Sequence, residues 1–218
     1  MPHKLLLFPF GGNAREAALT VFGLNHKDAM WDVCGFVDDD RSLWGKEYCS
    51  IKVVGGREVL KQDESACVIA VPGNPNNFLR RRGVIDSLGV TNNRFATIIH
   101  PSAVVSPDAR IGYNTVIMPN VVVSAGSVVG NHCMILPNTI IAHDSTVGDL
   151  TLIGSNVTIS GYVKIGENCY IGSGVSVREK IVVGRGSLVG LGSSVVSDVE
   201  PHVVVAGNPA RMLRRLSA

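Results

Sequence analysis

An isoleucine or valine stands at every sixth residue from Ile99 to Val195, seventeen times without a gap. A short repeat with a fixed period is typical of a solenoid, and a hexapeptide period indicates a β-helix. Strands of a β-sandwich alternate with a period of two and are separated by turn signals roughly every 8–12 residues, which does not produce this pattern. The repeat therefore predicts a parallel β-helix over the C-terminal part of the chain.

Glycine follows the aliphatic residue in two series whose members are 18 residues apart, so three hexapeptides make one coil. The series are Gly112, Gly130, Gly148, Gly166 and Gly184, and Gly154, Gly172 and Gly190. We expect the aliphatic residue, and the small or β-branched residue four positions after it, to point into the coil. The residues between them form a corner, where we expect glycine to supply a positive φ without steric cost. A single coil is too thin to bury its own core, so stacking of coils must stabilise the fold.

The composition excludes some classes of partner. The 218 residues carry a formal net charge of +2, with 17% charged residues, so the chain has no overall field that would attract nucleic acid. We expect two arginine clusters, Arg80–Arg82 and the trio Arg211, Arg214 and Arg215, to be solvated faces. The N-terminal apolar run is too short for a secretory signal, and no stretch approaches the roughly 20 apolar residues that span a bilayer.

The five cysteines contain no CxxC motif, and Cys133 and Cys169 share the inward small position two coils apart. Coils stack about 4.8 Å apart, so the two Cα atoms should lie about 10 Å apart, too far for a disulfide. Free thiols are typical of the reducing cytoplasm, where we expect the protein to work.

Residues 1–97 lack the hexapeptide pattern and alternate between strands and helices. The predicted strands are Lys4–Phe8, Trp31–Val37 and Cys67–Val71, and the predicted helices are Glu16–Leu24, Glu58–Lys61 and Asn77–Leu88. Such alternation produces a parallel sheet. The predicted fold class is α/β followed by β: a small Rossmann-like parallel α/β domain at residues 1–97, then a β-helix of hexapeptide repeats at residues 98–218 with a short C-terminal tail.

Three loops follow the carboxyl ends of the predicted strands, where open α/β sheets bind ligands. Gly11-Gly12 precedes a helix and can let a backbone N–H approach a phosphate or ribose, although a plain tight turn explains it equally well. Asp38 and Asp39 can accept hydrogen bonds from a sugar hydroxyl or amine, or form a solvated turn. The third loop contains Gly73.

The order of these features resembles the bacterial nucleotide-sugar acetyltransferases that are grouped with the sialic acid O-acetyltransferases. The specific matches are the joint Ile99-His100-Pro101-Ser102-Ala103 and the end Ala206-Gly207-Asn208-Pro209-Ala210-Arg211. The family includes N-acetyltransferases that act on UDP- or dTDP-linked 4-amino-dideoxy sugars for surface glycans or glycoproteins. The resemblance implies a left-handed β-helix, acetyl-CoA as acyl donor, and a homotrimer with sites between subunits. We expect no metal site, because His132 and His143 are 11 residues apart and do not stack on one edge.

The resemblance also implies a catalytic base. The family has a corner histidine followed by an acidic residue, which the stretch Ile141-Ala142-His143-Asp144-Ser145-Thr146-Val147-Gly148 matches. His143 would be the base and Asp144 its orienting carboxylate, one methylene shorter than the glutamate usual in the amino-sugar enzymes. His132 is a rival at another corner but lacks a following acid, and His100 is expected to cap or pack the joint.

Binding residues carry over by position. The nucleotide sugar would lie on Gly12, Asn13, Ala14, Asp38, Asp39 and Gly73, although the family usually reads Gly-His-Gly in the first loop. Acetyl-CoA would contact Leu152, where the family often has histidine, and would run past Gly161, Ser173 and Leu191. The C-terminal arginines would either meet its phosphates or form a solvated tail.

Three functions remain open at this point. The first is N-acetylation of a nucleotide-linked amino sugar, and the second is O-acetylation of a sialic acid or related sugar, which Asp144 and the altered first loop leave possible. The third is a non-catalytic solenoid that binds or acts as a scaffold, which would leave His143 and Asp144 without purpose. We read the corner Arg178-Glu179-Lys180 as polar, with no inserted arm.

Overall fold

In the computed structural model, which describes residues 1–26 and 29–216, strands and helices alternate in the first part of the chain. They are β1 (His3–Phe8), α1 (Gly12–Asn25), β2 (Trp31–Val37), β3 (Glu47–Tyr48), β4 (Ile51–Gly55), α2 (Val59–Gln62), β5 (Cys67–Ala70) and α3 (Arg81–Asp86), with 3₁₀ turns at Arg41–Leu43, Phe78–Arg80 and Asn92–Arg94. The strands form one sheet in the order β3-β4-β2-β1-β5, parallel except for the β3–β4 pair. The predicted parallel α/β fold is confirmed, while β3 and β4 were not predicted.

The central strand β1 is buried on both faces, which is typical of parallel sheets covered by helices. Helix α1 packs Ala14, Ala17, Ala18 and Val21 into the core beside it. The predicted helix Asn77–Leu88 is wrong in its bounds, because the structure has a 3₁₀ turn followed by α3, and Gly83 within it lowers helix propensity. None of the helices in the described ranges has the length and apolar composition of a bilayer-spanning segment.

The hexapeptide repeat forms seventeen two-residue strands that wind into a triangular prism, and each strand pairs in parallel with the strand 18 residues away. Face A contains β6 (Ile98–Ile99), β9 (Val116–Ile117), β12 (Met134–Ile135), β15 (Leu152–Ile153), β18 (Tyr170–Ile171) and β21 (Leu188–Val189). Face B contains β7 (Val104–Val105), β10 (Val122–Val123), β13 (Ile140–Ile141), β16 (Thr158–Ile159), β19 (Ser176–Val177) and β22 (Ser194–Val195). Face C contains β8 (Arg110–Ile111), β11 (Val128–Val129), β14 (Thr146–Val147), β17 (Lys164–Ile165) and β20 (Val182–Val183). The left-handed parallel β-helix is confirmed, and its corners form an A/B, a B/C and a C/A edge.

The interior of the prism is built as the repeat predicts. From Ile117 onward the repeated aliphatic residue is buried in every strand. Small hydroxyl residues at the second inward position connect successive coils: the Ser145 hydroxyl donates to the carbonyl of Ser160 at 2.8 Å and accepts from the amide of Val163 at 3.1 Å. These buried polar groups are therefore hydrogen-bonded, as burial requires.

The expected role of the glycine series is wrong. Positive φ occurs three residues after the aliphatic residue, where the chain has asparagine at Asn114, Asn120, Asn138, Asn156 and Asn168. The glycines that directly follow the aliphatic residue have no positive φ and instead meet the next coil closely. A Cβ on Gly148, for example, would lie 2.6 Å from the backbone nitrogen of Glu167. Close approach of neighbouring coils, and not turn geometry, therefore requires glycine there.

The C/A edge packs against the N-terminal sheet. The side chain of Asn114 exchanges two hydrogen bonds of 2.8 Å with the backbone of Ala70 in β5. Arg81, expected to be solvated, is 1% exposed and donates to the carbonyls of Leu150 at 3.0 Å, Pro72 and His132. That expectation is wrong because two carbonyls of the solenoid and one of the third loop converge on Arg81. Burial lowers the pKa of Arg81 to about 10.

The C-terminal segment is a hairpin and not a loose tail. β23 (Val203–Gly207) pairs in parallel with β21, and β24 (Ala210–Arg215) pairs antiparallel with β23. The hairpin therefore extends face A and covers the end of the prism. The polar corner at residues 178–180 keeps the register without an inserted arm, since the Lys180 amide donates to the carbonyl of Gly161 at 3.0 Å.

Candidate active site on the B/C edge

His143 stands at a corner of the B/C edge, between β13 and β14, with its side chain 56% exposed. Its Nδ1 lies 2.9 Å from Oδ2 of Asp144. Asp144 has a φ of 58°, the left-handed conformation shared by this corner position in most coils. A carboxylate on Nδ1 favours the tautomer with the proton there, which leaves Nε2 as a proton acceptor.

Two glycines make room for this pair. A Cβ on Gly161, in the next coil, would lie 2.7 Å from Cε1 and Nε2 of the His143 ring. A Cβ on Gly126, in the preceding coil, would lie 2.6 Å from Oδ1 of Asp144. The imidazole and the carboxylate therefore occupy space that any other residue at these two positions would take.

Tyr162 completes the surroundings of the imidazole. Its ring lies at right angles to that of His143, with 5.0 Å between the ring centroids. Its backbone amide donates to the carbonyl of His143 at 3.1 Å. We did not identify Tyr162 from the sequence, although it is the one aromatic residue among the corner residues with positive φ on this edge, which are otherwise Gly126, Asp144 and Lys180.

The two other candidate histidines, His132 and His100, are packed against neighbouring side chains or a helix. His132 packs edge-on against Phe95 and Tyr113 on the C/A edge, and Asn114 lies 2.8 Å from its Nδ1. Burial, and then the charge of Arg81, lowers the pKa of His132 to about 4, so it is a weak base at neutral pH.

His100 packs against α1, where a Cβ on Gly23 would lie 2.3 Å from its Nε2. Its Nδ1 lies 2.8 Å from the Ser102 hydroxyl. The expectation that His100 packs the joint is confirmed.

A cavity of about 180 Å³ lies between face A and the loops that follow β1 and β5, the first and third of the loops expected to bind the substrate. Its walls comprise Asn13, Gly73, Asn74, Pro75, Met134, Leu136, Leu152, Ile153, Gly154 and Tyr170. One side is therefore polar backbone and amide, and the other is apolar solenoid surface. Among the residues missed by sequence reasoning, Met134 and Tyr170 carry no signal beyond their place in the repeat.

The first loop holds Asn13 in one orientation. Its Nδ2 donates to the carbonyls of Val71 at 3.1 Å and Gly73 at 3.0 Å, so its Oδ1 is the atom that remains for a ligand. Gly12 is exposed at the start of α1, whereas the Ala14 side chain is buried in the core and can offer a ligand only its backbone. Gly73 has a φ of 112°, and a Cβ there would meet the Arg81 stem at 2.9 Å.

Asp38 and Asp39 accept hydrogen bonds from different partners. Asp38 accepts the amides of Phe10 and Asp40, each at 2.9 Å, which joins the first and second loops. Asp39 accepts two hydrogen bonds from the Arg57 guanidinium, and these lower the pKa of its carboxyl group. Both carboxylates are thus partly satisfied within the loop.

The residues predicted for acetyl-CoA stand on more than one edge. Gly161 lies beneath His143 on the B/C edge, while Ser173 and Leu191 lie on the A/B edge, where Leu191 is 81% exposed. Leu152 is buried on face A, in the cavity beside Gly73, so the structure does not bring it next to His143 of the same chain.

The C-terminal arginines differ in their surroundings. Arg215 pairs with Glu200 at 2.8 Å, whereas Arg214 lines a second cavity together with Arg80. Cys133 and Cys169 are buried in the prism, and burial raises the pKa of their thiols to about 12 and about 11. Within the described ranges no group of three histidine, cysteine or acidic residues is placed to hold a metal ion.

Comparison with known proteins agrees with this architecture. Residues 94–206, just over half of the chain, match the family described as the GMPPB C-terminal domain. No curated protein sequence gives a match.

Solved structures of acetyltransferases superpose on nearly the whole chain. The acetyltransferase domain of PglB from Neisseria gonorrhoeae FA1090 has a TM-score of 0.85 and 29% identity, with 97% of this chain and 100% of that chain covered. The same domain in complex with acetyl coenzyme A has a TM-score of 0.84 and 28% identity, with 98% and 100% covered. PerB from Caulobacter crescentus, in complex with CoA and GDP-perosamine, has a TM-score of 0.82 and 23% identity, with 98% of each chain covered, and at that identity shows the fold alone. The resemblance to hexapeptide-repeat acetyltransferases is confirmed.

Proposed function

The chain belongs to the family of the GMPPB C-terminal domain, and from this premise we propose that it transfers an acetyl group from acetyl-CoA to the amine of a nucleotide-linked amino sugar. The observation that carries the proposal is the exposed pair of His143 and Asp144 on the edge of a β-helix. The similar PglB domain, solved with acetyl coenzyme A, supports the acyl donor. Free thiols at five cysteines favour a cytoplasmic location.

His143 acts as the general base in this proposal. An amine attacks a thioester in its neutral form, and the attacking nitrogen sheds a proton as the amide bond forms. Nε2 of His143 accepts that proton, because Asp144 holds Nδ1 at 2.9 Å and stabilises the imidazolium. The C–S bond of the thioester breaks, and the imidazolium returns the proton to the departing thiolate. A covalent cysteine is not required, and burial makes Cys133 and Cys169 poor nucleophiles.

The sugar nucleotide binds at the carboxyl ends of β1, β2 and β5. The first amides of α1, from Gly12 to Ala14, are free to face a phosphate as helix N-termini do. Asn13 offers its Oδ1, Asp38 and Asp39 offer remaining lone pairs to the ribose or base, and Gly73 lets the ligand approach the backbone.

Acetyl-CoA binds along the solenoid in this proposal. Gly161 accommodates the His143 ring that faces the thioester, Ser173 and Leu191 flank the pantetheine on the A/B edge, and Leu152 adds apolar surface in the cavity. Arg211 and Arg214 have no carboxylate partner among the described residues and are available to its phosphates.

The active site is shared between subunits of a homotrimer. His143 lies on the B/C edge, whereas the substrate loops of the same chain pack against face A and the C/A edge. A face six residues wide spans about 20 Å of extended chain, too far for an imidazole to reach across. A neighbouring prism that turns its B/C edge toward face A brings the two halves together, and a threefold axis repeats this contact in a closed ring.

The test is release of the CoA thiol from acetyl-CoA, measured against a panel of nucleotide-linked amino sugars and free sialic acids, with wild type beside His143→Ala. We expect turnover on an amino sugar and a loss of about 10²–10⁴-fold in kcat for the variant, as general-base removal produces. Asp144→Asn is the matched variant, since it keeps the hydrogen-bonding shape but removes the charge, and we expect an intermediate loss.

Other outcomes separate the alternatives. Turnover only on a hydroxyl acceptor would move the assignment to O-acetylation by the same base. Absence of turnover and of acetyl-CoA binding on the whole panel would leave a scaffold role, and an undiminished His143→Ala would remove the proposed base.

A further inference from the structure

The corner position occupied by Tyr162 is unusual for a tyrosine. Its φ is 61°, in the left-handed region that bulky residues avoid and that asparagine and glycine tolerate. On the other two edges the equivalent position is asparagine five times and glycine at Gly174, Gly186 and Gly192. On the B/C edge itself it is Gly126, Asp144 and Lys180, none of which carries an aromatic ring. The hydrogen bond from the Tyr162 amide to the His143 carbonyl is a backbone contact that an asparagine would also make. Folding therefore favours a different residue at position 162.

The strain at Tyr162 occurs beside the proposed base. The tyrosine ring lies 5.0 Å from the His143 ring at an interplanar angle of 89°, and Tyr162 is 51% exposed. Local backbone strain clusters at functional sites, where the surrounding structure compensates for it. Lys180 holds the same conformation one coil further along the B/C edge, with a φ of 63°, and provides a comparison away from His143.

Three groups now surround the imidazole. Asp144 holds Nδ1, the Gly161 backbone lies against Cε1 and Nε2, and Tyr162 covers the ring from the side of the next coil. An exposed histidine held only by one hydrogen bond could still turn about its χ angles. A perpendicular aromatic ring at this distance removes part of that freedom and is favourable in itself.

We propose that Tyr162 is a positioning residue for the reaction: its ring holds the His143 imidazole in the orientation that directs Nε2 to the acceptor amine. This inference rests on the proposed function, since it assumes that His143 is the base. The role belongs to the aromatic ring and not to the phenolic hydroxyl. The strained backbone at Tyr162 then lowers the stability of the fold, while its ring increases the activity.

The test compares Tyr162→Asn, Tyr162→Phe and the matched control Lys180→Asn. Tyr162→Asn should raise Tm by about 2–4 °C because it relieves the left-handed strain. It should lower kcat about tenfold or more, because a small misplacement of a reacting group is costly, while KM for acetyl-CoA is unchanged. Lys180→Asn should raise Tm similarly and leave kcat unchanged, and Tyr162→Phe should retain wild-type kcat.

An NMR measurement gives a readout that does not need turnover. The imidazole C–H signals of His143, identified by their loss in His143→Ala, should be shifted by the neighbouring ring in wild type and Tyr162→Phe but not in Tyr162→Asn. Identical signals in all three proteins would overturn the contact. Full kcat in Tyr162→Asn would overturn the positioning role, and a large loss in Tyr162→Phe would transfer it to the hydroxyl.

These outcomes are separable from the proposed function. If wild type turns over and His143→Ala does not, the acetyltransferase assignment stands whatever Tyr162→Asn does. If no acceptor is turned over, that assignment fails and the NMR comparison still decides whether Tyr162 holds His143.

Discussion

His132 and His143 are both corner residues of the solenoid, and their surroundings separate their chemistry. His132 is covered by Phe95 and Tyr113 and is neutral at pH 7, because burial lowers its pKa to about 4. His143 is exposed and has a carboxylate on Nδ1. A corner histidine is therefore packed into the fold where the N-terminal domain covers it, as at His132, and remains largely exposed on the B/C edge, as at His143.

The buried His132 makes stability depend on pH. Its folded pKa lies below the ordinary value near 6.5, so the unfolded chain binds the proton more readily, and stability is lost as pH falls from about 6.5 to about 4. We expect Tm to fall over this range in wild type. His132→Asn should fall less steeply over that range, since asparagine suits the φ of 57° and does not titrate.

Thermal unfolding monitored by circular dichroism at fixed protein concentration measures this slope. An equally steep fall in His132→Asn would contradict the assignment of the slope to His132.

At the scale of the element, the corner between two strands contains two positions with opposite demands. The residue directly after the aliphatic strand residue meets the backbone of the next coil, so only glycine fits at Gly148 and its equivalents. The residue two positions later has a positive φ and ample room, as at Gly192, where a Cβ would have no atom within 4 Å. The first position is therefore limited by the space between coils, and the second by the left-handed backbone conformation.

Two substitutions separate these demands. Gly148→Ala should destabilise the protein by about 1–3 kcal/mol, because the added carbon must push two coils apart. Gly192→Asn should change the free energy of unfolding little, because asparagine tolerates a φ of 65° and the site is open. Urea unfolding at a matched protein concentration measures both, and equal destabilisation by the two changes would show that backbone conformation and not space decides.

At the scale of the whole molecule, the substrate loops and the proposed base stand on different sides of one prism. Asn114 and Arg81 fix the end of β5 and the third loop to the solenoid. Asn13 joins the first loop to the third, and Asp38 joins the second loop to the first, so the three loops are held away from His143 of their own chain. If both halves are needed, each must come from a different chain. Symmetry then places three equivalent sites in the trimer.

Mixed trimers test the shared site. Gly12→Glu places a carboxylate where a diphosphate would bind, and a Cβ there meets no atom within 4 Å, so the fold should be unaffected. This variant and His143→Ala should each be inactive, but trimers assembled from an equal mixture should recover about a quarter of wild-type activity, because one pairing in four combines two intact halves. Gly12→Ala is the control and should remain active.

Coexpression with two purification tags isolates the trimers that contain both chains. In these we expect about a third of wild-type activity, because one of the three interfaces combines two intact halves. No recovery in trimers that contain both chains would place the complete site within one chain.

The predictable part of this protein is the part whose determinants are local. The period of six, the inward hydroxyl residues and the three loops after β1, β2 and β5 follow from neighbouring residues, and the corner His143-Asp144 was identified from a short motif. Arg81 was wrongly expected to be solvated, since nothing in its local sequence indicates carbonyl partners 51 and 69 residues away. Tyr162 could have been noticed as a bulky residue at a corner position that is often asparagine or glycine on the other two edges, but its contact with His143 depends on the stacking of coils.

The sequence by itself therefore determined the repeat, the left-handed prism that its family forms, and the residue types available for chemistry, because every coil repeats the same hexapeptide pattern. Only the tertiary structure decided which corner histidine is covered, why glycine is required after the strands of the two glycine series, and that the proposed substrate loops and His143 occupy different sides. Those outcomes depend on which surfaces of the prism the N-terminal sheet covers, and contacts between segments far apart in the chain set that arrangement.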